Sequence, residues 1–134
     1  MNENPNLAVV KALGDAYAKN DLEAALTLMT EDIIWEIPGP SGVPYAGIFH
    51  GKVGFRDFWA LLGDSVDLER GGIDEMFAQS NTVVGLGSER GKTKETGRPY
   101  HYSWTQVYRF TDDHKIKSIR QYYSPLNIAA ALGL

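Results

Sequence analysis

The chain has 134 residues, no cysteine and a formal net charge of −4, which suits one domain with a full apolar core. The missing cysteines exclude a disulfide framework, a thiolate nucleophile and a thiolate metal site. Lys and Arg are scattered through an acidic chain, which gives no track for nucleic acid or an anionic membrane, and no apolar run approaches the roughly 20 residues that span a bilayer.

In chain order, the opening MNENPNLAVVKALG lacks a basic stretch followed by a continuous apolar run, so an unprocessed cytoplasmic protein is expected. Asn4 followed by Pro5 reads as a helix start, and Val10, Leu13 and Tyr17 recur at helical spacing, which predicts a helix over 5–18. Asn20 with Glu23 resembles a capping box that opens a second helix with the stripe Leu22, Ala25, Leu26 and Met29. The β-branched and aromatic run 32–37 then predicts a strand that stops at Pro38, with Ile33, Trp35 and Ile37 on one face. Residues 39–50 hold glycines and prolines and read as a loop. After Gly51, the stripe Phe55, Phe58, Trp59 and Leu62 predicts a third, aromatic helix.

From about Ser65 the pattern changes to strands over roughly 66–78, 82–95, 98–111 and 115–124, with turns at Thr96-Gly97 and at Asp112-Asp113-His114. Short sequential turns imply an antiparallel meander. Ser124 before Pro125 predicts the cap of a short last helix containing Ile128 and Leu132. Helices first and a long antiparallel run afterwards is the α+β pattern, and the absence of any linker composition predicts a single domain over 1–134.

Four strings sharpen this reading: NDLEAALTLMTEDIIWEIPG, YAGIFHGKVGFRDFW, TGRPYHYSWTQVYRF and IRQYYSPLNIAAAL. In this order they resemble the SnoaL-like and ketosteroid isomerase-like branch of the nuclear transport factor 2 superfamily, and the resemblance covers nearly the whole chain. It implies a cone: a strongly curved, mostly antiparallel sheet packed on three helices of the N-terminal half, with a short C-terminal helix and a cavity for a hydrophobic small molecule. Alternation then assigns the inward face. Tyr102, Trp104, Gln106, Tyr108 and Phe110 share one face of their strand, with Ser103, Thr105, Val107 and Arg109 on the other. Ile119, Gln121 and Tyr123, Trp35 and Ile37, and Gly87 with Glu89 face the same way, and Leu13, Tyr17, Met29, Phe58 and Trp59 complete the expected lining from the helices.

The chemistry that the resemblance implies does not transfer. Where ketosteroid isomerases carry an aspartate base before a proline, this chain has Ile37, and the tyrosine and protonated aspartate that hold the dienolate oxygen align with Leu13 and Gln106. SnoaL-like cyclases often carry a histidine and an aspartate where Gln106 and Ser124 stand, and neither glutamine nor serine titrates near neutrality. Glu89 is the inward carboxylate that remains, a candidate base whose desolvation would raise its pKa, provided no bulge turns it to solvent. Glu36 faces away by alternation, His101 lies on the outer face, His114 fits a β-turn, and His50 precedes the third helix near the expected mouth. These histidines have no metal-ligand spacing, so neither metal nor cofactor is expected.

Three functions remain open on this reading. One is an isomerase or cyclase for a hydrophobic carbonyl compound, with Glu89 as base and Gln106 as donor to an enolate oxygen. Another is a ligand-binding domain in which Gln106, Gln121 and Tyr108 only orient an apolar ligand. The last is an interaction domain that forms a homodimer through the outer sheet face.

Overall fold

A computed structural model describes residues 3–134. Helix α1 (Pro5–Ala18) begins where the Asn4 side chain accepts the Asn6 backbone N–H at 3.0 Å, with Pro5 filling the first helical position. The second amide function of Asn4 donates to the Ser80 carbonyl at 2.9 Å, which ties the helix start to a distant turn of the sheet. Helix α2 (Leu22–Thr27) is capped by Asp21, whose side chain accepts from the Ala24 N–H at 3.1 Å. The cap is therefore one residue later than the Asn20 that the sequence suggests. Asn20 takes a left-handed conformation instead, at φ 53°, and closes the end of α1, a role that asparagine tolerates well.

Strand β1 (Met29–Ile37) buries Ile33, Trp35 and Ile37 on the expected face. The stretch expected to be all loop contains a short strand, β2 (Gly47–His50), which pairs antiparallel with β1 from Ile34↔His50 to Ile37↔Gly47. Four residues beside glycines are too few to show an alternation, so no periodicity announces this strand. Helix α3 (Gly51–Ser65) follows at once, turning at Gly51 with φ 73°, and packs Phe55 and Phe58 into the core against β1. Trp35 and Phe58 meet edge to face at 5.1 Å between ring centroids.

The meander comprises β3 (Val66–Gln79), β4 (Thr82–Thr93), β5 (Pro99–Phe110) and β6 (Ile116–Tyr123), all antiparallel to their sequence neighbours. The sheet order is β2-β1-β6-β5-β4-β3, closed by one parallel pairing between β1 and β6. Helix α4 (Leu126–Ala131) starts from Pro125, and its first turn has no side-chain cap. Ser124 thus lies outside the helix, because Pro125 takes the capping position that the sequence gives to the serine.

Two irregularities of β3 decide what faces inward on β4. The β3–β4 register slips once between Leu68 and Arg70 and once between Ile73 and Glu75, and each time the extra residue, Glu69 and then Asp74, belongs to β3. The β4–β5 register runs without interruption from Thr82↔Arg109 to Lys92↔Pro99. β4 keeps strict alternation, and its residues Val83, Gly85, Gly87, Glu89 and Gly91 share the inward face.

Gly87 has no room for a side chain: a Cβ there would meet the Gly72 carbonyl oxygen at 2.3 Å and the Trp104 ring at 2.5 Å. Gly87→Ala is expected to destabilise the fold by about 2 kcal/mol or more through overpacking. Gly63, in the exposed part of α3 with nothing within 4 Å of such a Cβ, is the contrast. Gly63→Ala is expected to stabilise by about 0.5–1 kcal/mol through helix propensity. Urea unfolding of both variants measures the two opposite shifts.

Candidate active site: a carboxylate in an aromatic cavity

A cavity of about 160 Å³ lies between α1, α3 and the inner face of the sheet. This is close to the roughly 150 Å³ of an apolar cavity that admits benzene. Leu13 and Tyr17 of α1, Phe58 of α3, and Trp35 and Ile37 of β1 line it, together with Trp104, Gln106 and Tyr108 of β5 and Gln121 of β6. Strand pairing sets these side chains in rows. Glu89 stands beside Tyr102, then Gly87 beside Trp104 and Tyr123, then Gly85 beside Gln106 and Gln121, and last Val83 beside Tyr108, Ile119 and Trp35. Glycines at 85 and 87 leave the space that the rings of Tyr108 and Trp104 fill.

Glu89 lines this cavity and is partly buried. Its two carboxylate oxygens accept hydrogen bonds from the Tyr100 hydroxyl at 2.8 Å and the Tyr102 hydroxyl at 2.7 Å. Loss of water raises the carboxyl pKa above its ordinary value, while the two tyrosine donors favour the charged form and offset only part of the rise. The surrounding phenols shift upward as well. Burial and the charge of Glu89 raise Tyr102 and Tyr100 far above the usual phenol range, and Tyr123 is pushed up to about 12. All three remain neutral at any physiological pH, and Tyr100 and Tyr102 act as donors to Glu89. Tyr45 extends the cluster, its hydroxyl 3.5 Å from that of Tyr102.

The other end of the cavity carries amides. Tyr108 donates to the Gln106 carbonyl oxygen, and the Gln106 amide donates to the Gln121 carbonyl oxygen at 2.7 Å. Among the described residues, the Gln121 amide nitrogen, the Trp35 indole nitrogen and the hydroxyls of Tyr123 and Thr30 are buried without a hydrogen-bond partner. Tyr17 of α1 also lines the cavity, and burial raises its phenol far above the usual range.

Four expected lining residues lie elsewhere. Met29 and Ile119 are buried where the cone narrows and helices fill the space, so they face inward without meeting a void. Trp59 stacks on Tyr17 at 4.8 Å and donates to the Asn20 side chain at 3.1 Å, one layer outside the cavity. Tyr123 is covered by Tyr102, their rings 4.8 Å apart. Strand alternation gives a face but not a depth, which accounts for Ile119 and Tyr123; Met29, expected on the stripe of the second helix, opens β1 instead because α2 ends at Thr27, and helical spacing cannot separate Trp59 from Phe58. Sequence reasoning missed Tyr45, fully buried in the segment between β1 and β2, where no periodicity marks a direction. It also missed Gly71 and Gly72 of β3, which form bare wall opposite Glu89 and Ser88.

The remaining acids and histidines stand apart. Glu36 faces outward, 3.8 Å from Arg120, and His50 pairs with Ile34 at the exposed start of α3. His101 is exposed, and His114 occupies the turn before β6 at φ 66°, its ring nitrogen 2.9 Å from the Asn6 side chain. Among the described residues no three His, Asp or Glu side chains gather around a possible metal position, and no helix is long and apolar enough to cross a membrane.

The profile of the SnoaL-like domain matches residues 10–119, which is most of the chain. The chain belongs to the SnoaL-like domain family. The SnoaL-like chain is 29% identical over 118 residues to the uncharacterized protein YesE of Bacillus subtilis (strain 168), covering 86% of this chain and 78% of YesE. An NTF2-like protein of Burkholderia xenovorans LB400 superposes with a TM-score of 0.87 at 28% identity, over 98% of both chains. TerC, co-crystallized with polyporic acid, superposes with a TM-score of 0.86 at 20% identity over 98% of this chain and 100% of its own. The SnoaL-like, NTF2-like cone is thereby shown.

The raised pKa of Glu89 links the cavity to stability. The folded state binds this proton more tightly than the unfolded chain, so the contribution of Glu89 is most favourable below the unfolded carboxyl value of 4.5. It is lost as pH rises from there through the folded value. Glu89→Gln is expected to remove that slope, so that its stability relative to the parent improves from pH 4.5 toward neutrality. Tyr102→Phe withdraws a donor from the charged form and is expected to raise the Glu89 pKa further. Urea unfolding across this pH range measures the first effect, and NMR titration of the Glu89 carboxyl carbon the second.

Proposed function

We propose that this protein binds an apolar ring compound bearing a carbonyl group and moves a proton on it, with Glu89 as the base. The observation that carries the proposal is a carboxylate, held by two tyrosine hydroxyls, at a cavity otherwise walled by aromatic and aliphatic side chains. Glu89 takes a proton from a carbon made acidic by conjugation to the carbonyl. The C–H electron pair enters the π system, the carbonyl π pair moves to oxygen, and the carboxyl returns the proton to another carbon to give an isomer. A carboxyl pKa raised by burial makes this base stronger than an exposed glutamate. The cavity size favours one or two rings, and the co-crystallization of TerC with polyporic acid is consistent with a cone of this shape holding an organic ligand.

A hydrophobic ketone that binds must raise the melting temperature by mass action. With a bicyclic enone that does so, deuterium uptake from solvent at carbon is expected to fall about 100-fold or more in Glu89→Gln, the usual scale of a lost general base. Unchanged uptake in that variant would sink the assignment.

A homodimer through the outer sheet face is a separate proposal. Tyr122 and Phe77 are large exposed apolar side chains, and Tyr122 carries Arg120 over its ring at 5.0 Å. Sedimentation of the parent and of Tyr122→Glu tests it: a dimer that the added charge dissociates is the expected result.

A further inference from the structure

We infer that the cavity also takes a fully alkylated organic ammonium ion, with the Glu89 carboxylate as its counter-ion and aromatic rings as its wall. The inference goes beyond the proposed function, because such an ion is held without reaction and competes with the carbonyl compound for the same space. It rests on an imbalance of charge. Among the described residues no Lys, Arg or His lines the cavity, and the ion pairs use other acids, Glu23, Glu31, Glu36 and Asp67. Glu89 therefore carries its charge in a water-poor interior with two phenols and no cation, and a buried charge is costly until it is paired.

The wall around this charge suits a cation. Gly87 and Glu89 are neighbouring inward positions of β4, about 7 Å apart at the usual strand rise. The six-membered ring of Trp104 lies over Gly87, so close that a Cβ there would meet it at 2.5 Å. Tyr102 stands directly beside Glu89 in the pairing, and Tyr17 and Phe58 line the same space from the helices. Aromatic rings attract a cation within about 6 Å of their centres, tryptophan most strongly. A methylated nitrogen between Glu89 and Trp104 meets the carboxylate on one side and the indole on the other.

Hydrogen bonding decides the kind of ammonium ion. Both oxygens of Glu89 accept from Tyr100 and Tyr102, the Gln106 oxygen accepts from Tyr108, and the Gln121 oxygen accepts from Gln106. A primary ammonium brings three N–H donors into a cavity whose acceptors are already engaged, and a buried donor without an acceptor is costly. A quaternary nitrogen has no N–H and needs only the charge and the rings. Folding has already taken the carboxylate out of water, so the ligand adds only its own desolvation.

The probes are phenyltrimethylammonium and tert-butylbenzene, which share a shape and differ by one charge. At mildly alkaline pH the ammonium ion is expected to bind about tenfold tighter than the hydrocarbon, the scale of a buried cation–π contact. Glu89→Gln should remove that preference and leave hydrocarbon binding unchanged, which shows the cavity intact. Benzylammonium, a primary ion of similar size, should bind more weakly than phenyltrimethylammonium. By NMR, the methyl protons of the bound ion should move upfield in the ring currents of the wall. Ionised Glu89 is the pairing form, so affinity for phenyltrimethylammonium should rise as pH passes upward through the raised carboxyl pKa, and affinity for tert-butylbenzene should not.

The other titratable groups facing Glu89 are the phenols of Tyr17 from α1, Tyr45 from the β1–β2 segment, Tyr100 and Tyr102 from β5 and Tyr123 from β6, all raised and neutral in that range. Glu69 of β3 lies near Tyr100, and Glu69→Gln should keep the pH profile. No binding of the ammonium ion, equal binding of the two probes, or a preference that survives in Glu89→Gln overturns the cation site. So does binding without the upfield shift, which marks the acidic surface instead of the cavity. Tighter binding of benzylammonium overturns the choice of an alkylated ion. If deuterium uptake still depends on Glu89 when the cation site fails, the base stands alone; if the ion binds as expected and no carbonyl compound shows uptake, the cation site stands and the proposed function fails.

Discussion

Taking a carboxylate out of water costs several kcal/mol unless other groups replace the lost hydrogen bonds, and the open end of this cone is arranged around that requirement. Tyr100 and Tyr102 share one strand face and approach the two oxygens of Glu89 from the neighbouring strand. That approach needs β4 and β5 to stay in register over their whole length, and the irregularity that a curved sheet demands is taken up by β3 instead. A bulge moved from β3 to β4 would turn Glu89 to solvent and leave the tyrosines facing apolar surface.

The inward face has a gradient of chemical character that follows from the strand rows. The acid and its phenols lie toward one end, Trp104 over Gly87 fills the middle, and the amides with Tyr108 lie toward the other. A carboxylate held by phenols marks the first end and a pair of hydrogen-bonded amides the last. A symmetrical apolar molecule would fill such a cavity without using either end. The two ends of the cavity wall therefore differ in chemical character.

Most of the scaffold was legible because it rests on local chemistry. Asn4-Pro5 specifies the first helix, alternation specifies the buried faces of β1, β4, β5 and β6, and Asp112-Asp113-His114 specifies a turn with a left-handed residue. Glu89 could be assigned to the inner face from alternation, and that assignment depended on a bulge-free β4, which only the pairing of three strands reveals. Depth was not legible. Ile119 alternates inward like its neighbours, and whether a void lies before it depends on how the helices close over the sheet. Tyr45 lay beyond reach for another reason, since the segment that carries it between β1 and β2 has no repeating pattern to give it a side. The orphaned nitrogens of Trp35 and Gln121 belong to the same class, because a missing partner is a property of the packed interior rather than of any local string.

The bulges of β3 bear also on what happens between molecules. β3 and β2 are the two outer strands of the sheet, and an outer strand that is long and straight invites a second chain to add to it. β2 is four residues long. β3 is long, but its spacing of backbone donors and acceptors is broken at Glu69 and at Asp74, each break marked by an acidic residue. A neighbouring strand laid along it would fall out of phase twice and bring charge against charge. The same dislocations that keep Glu89 facing inward therefore make the sheet a poor template for fibrous growth.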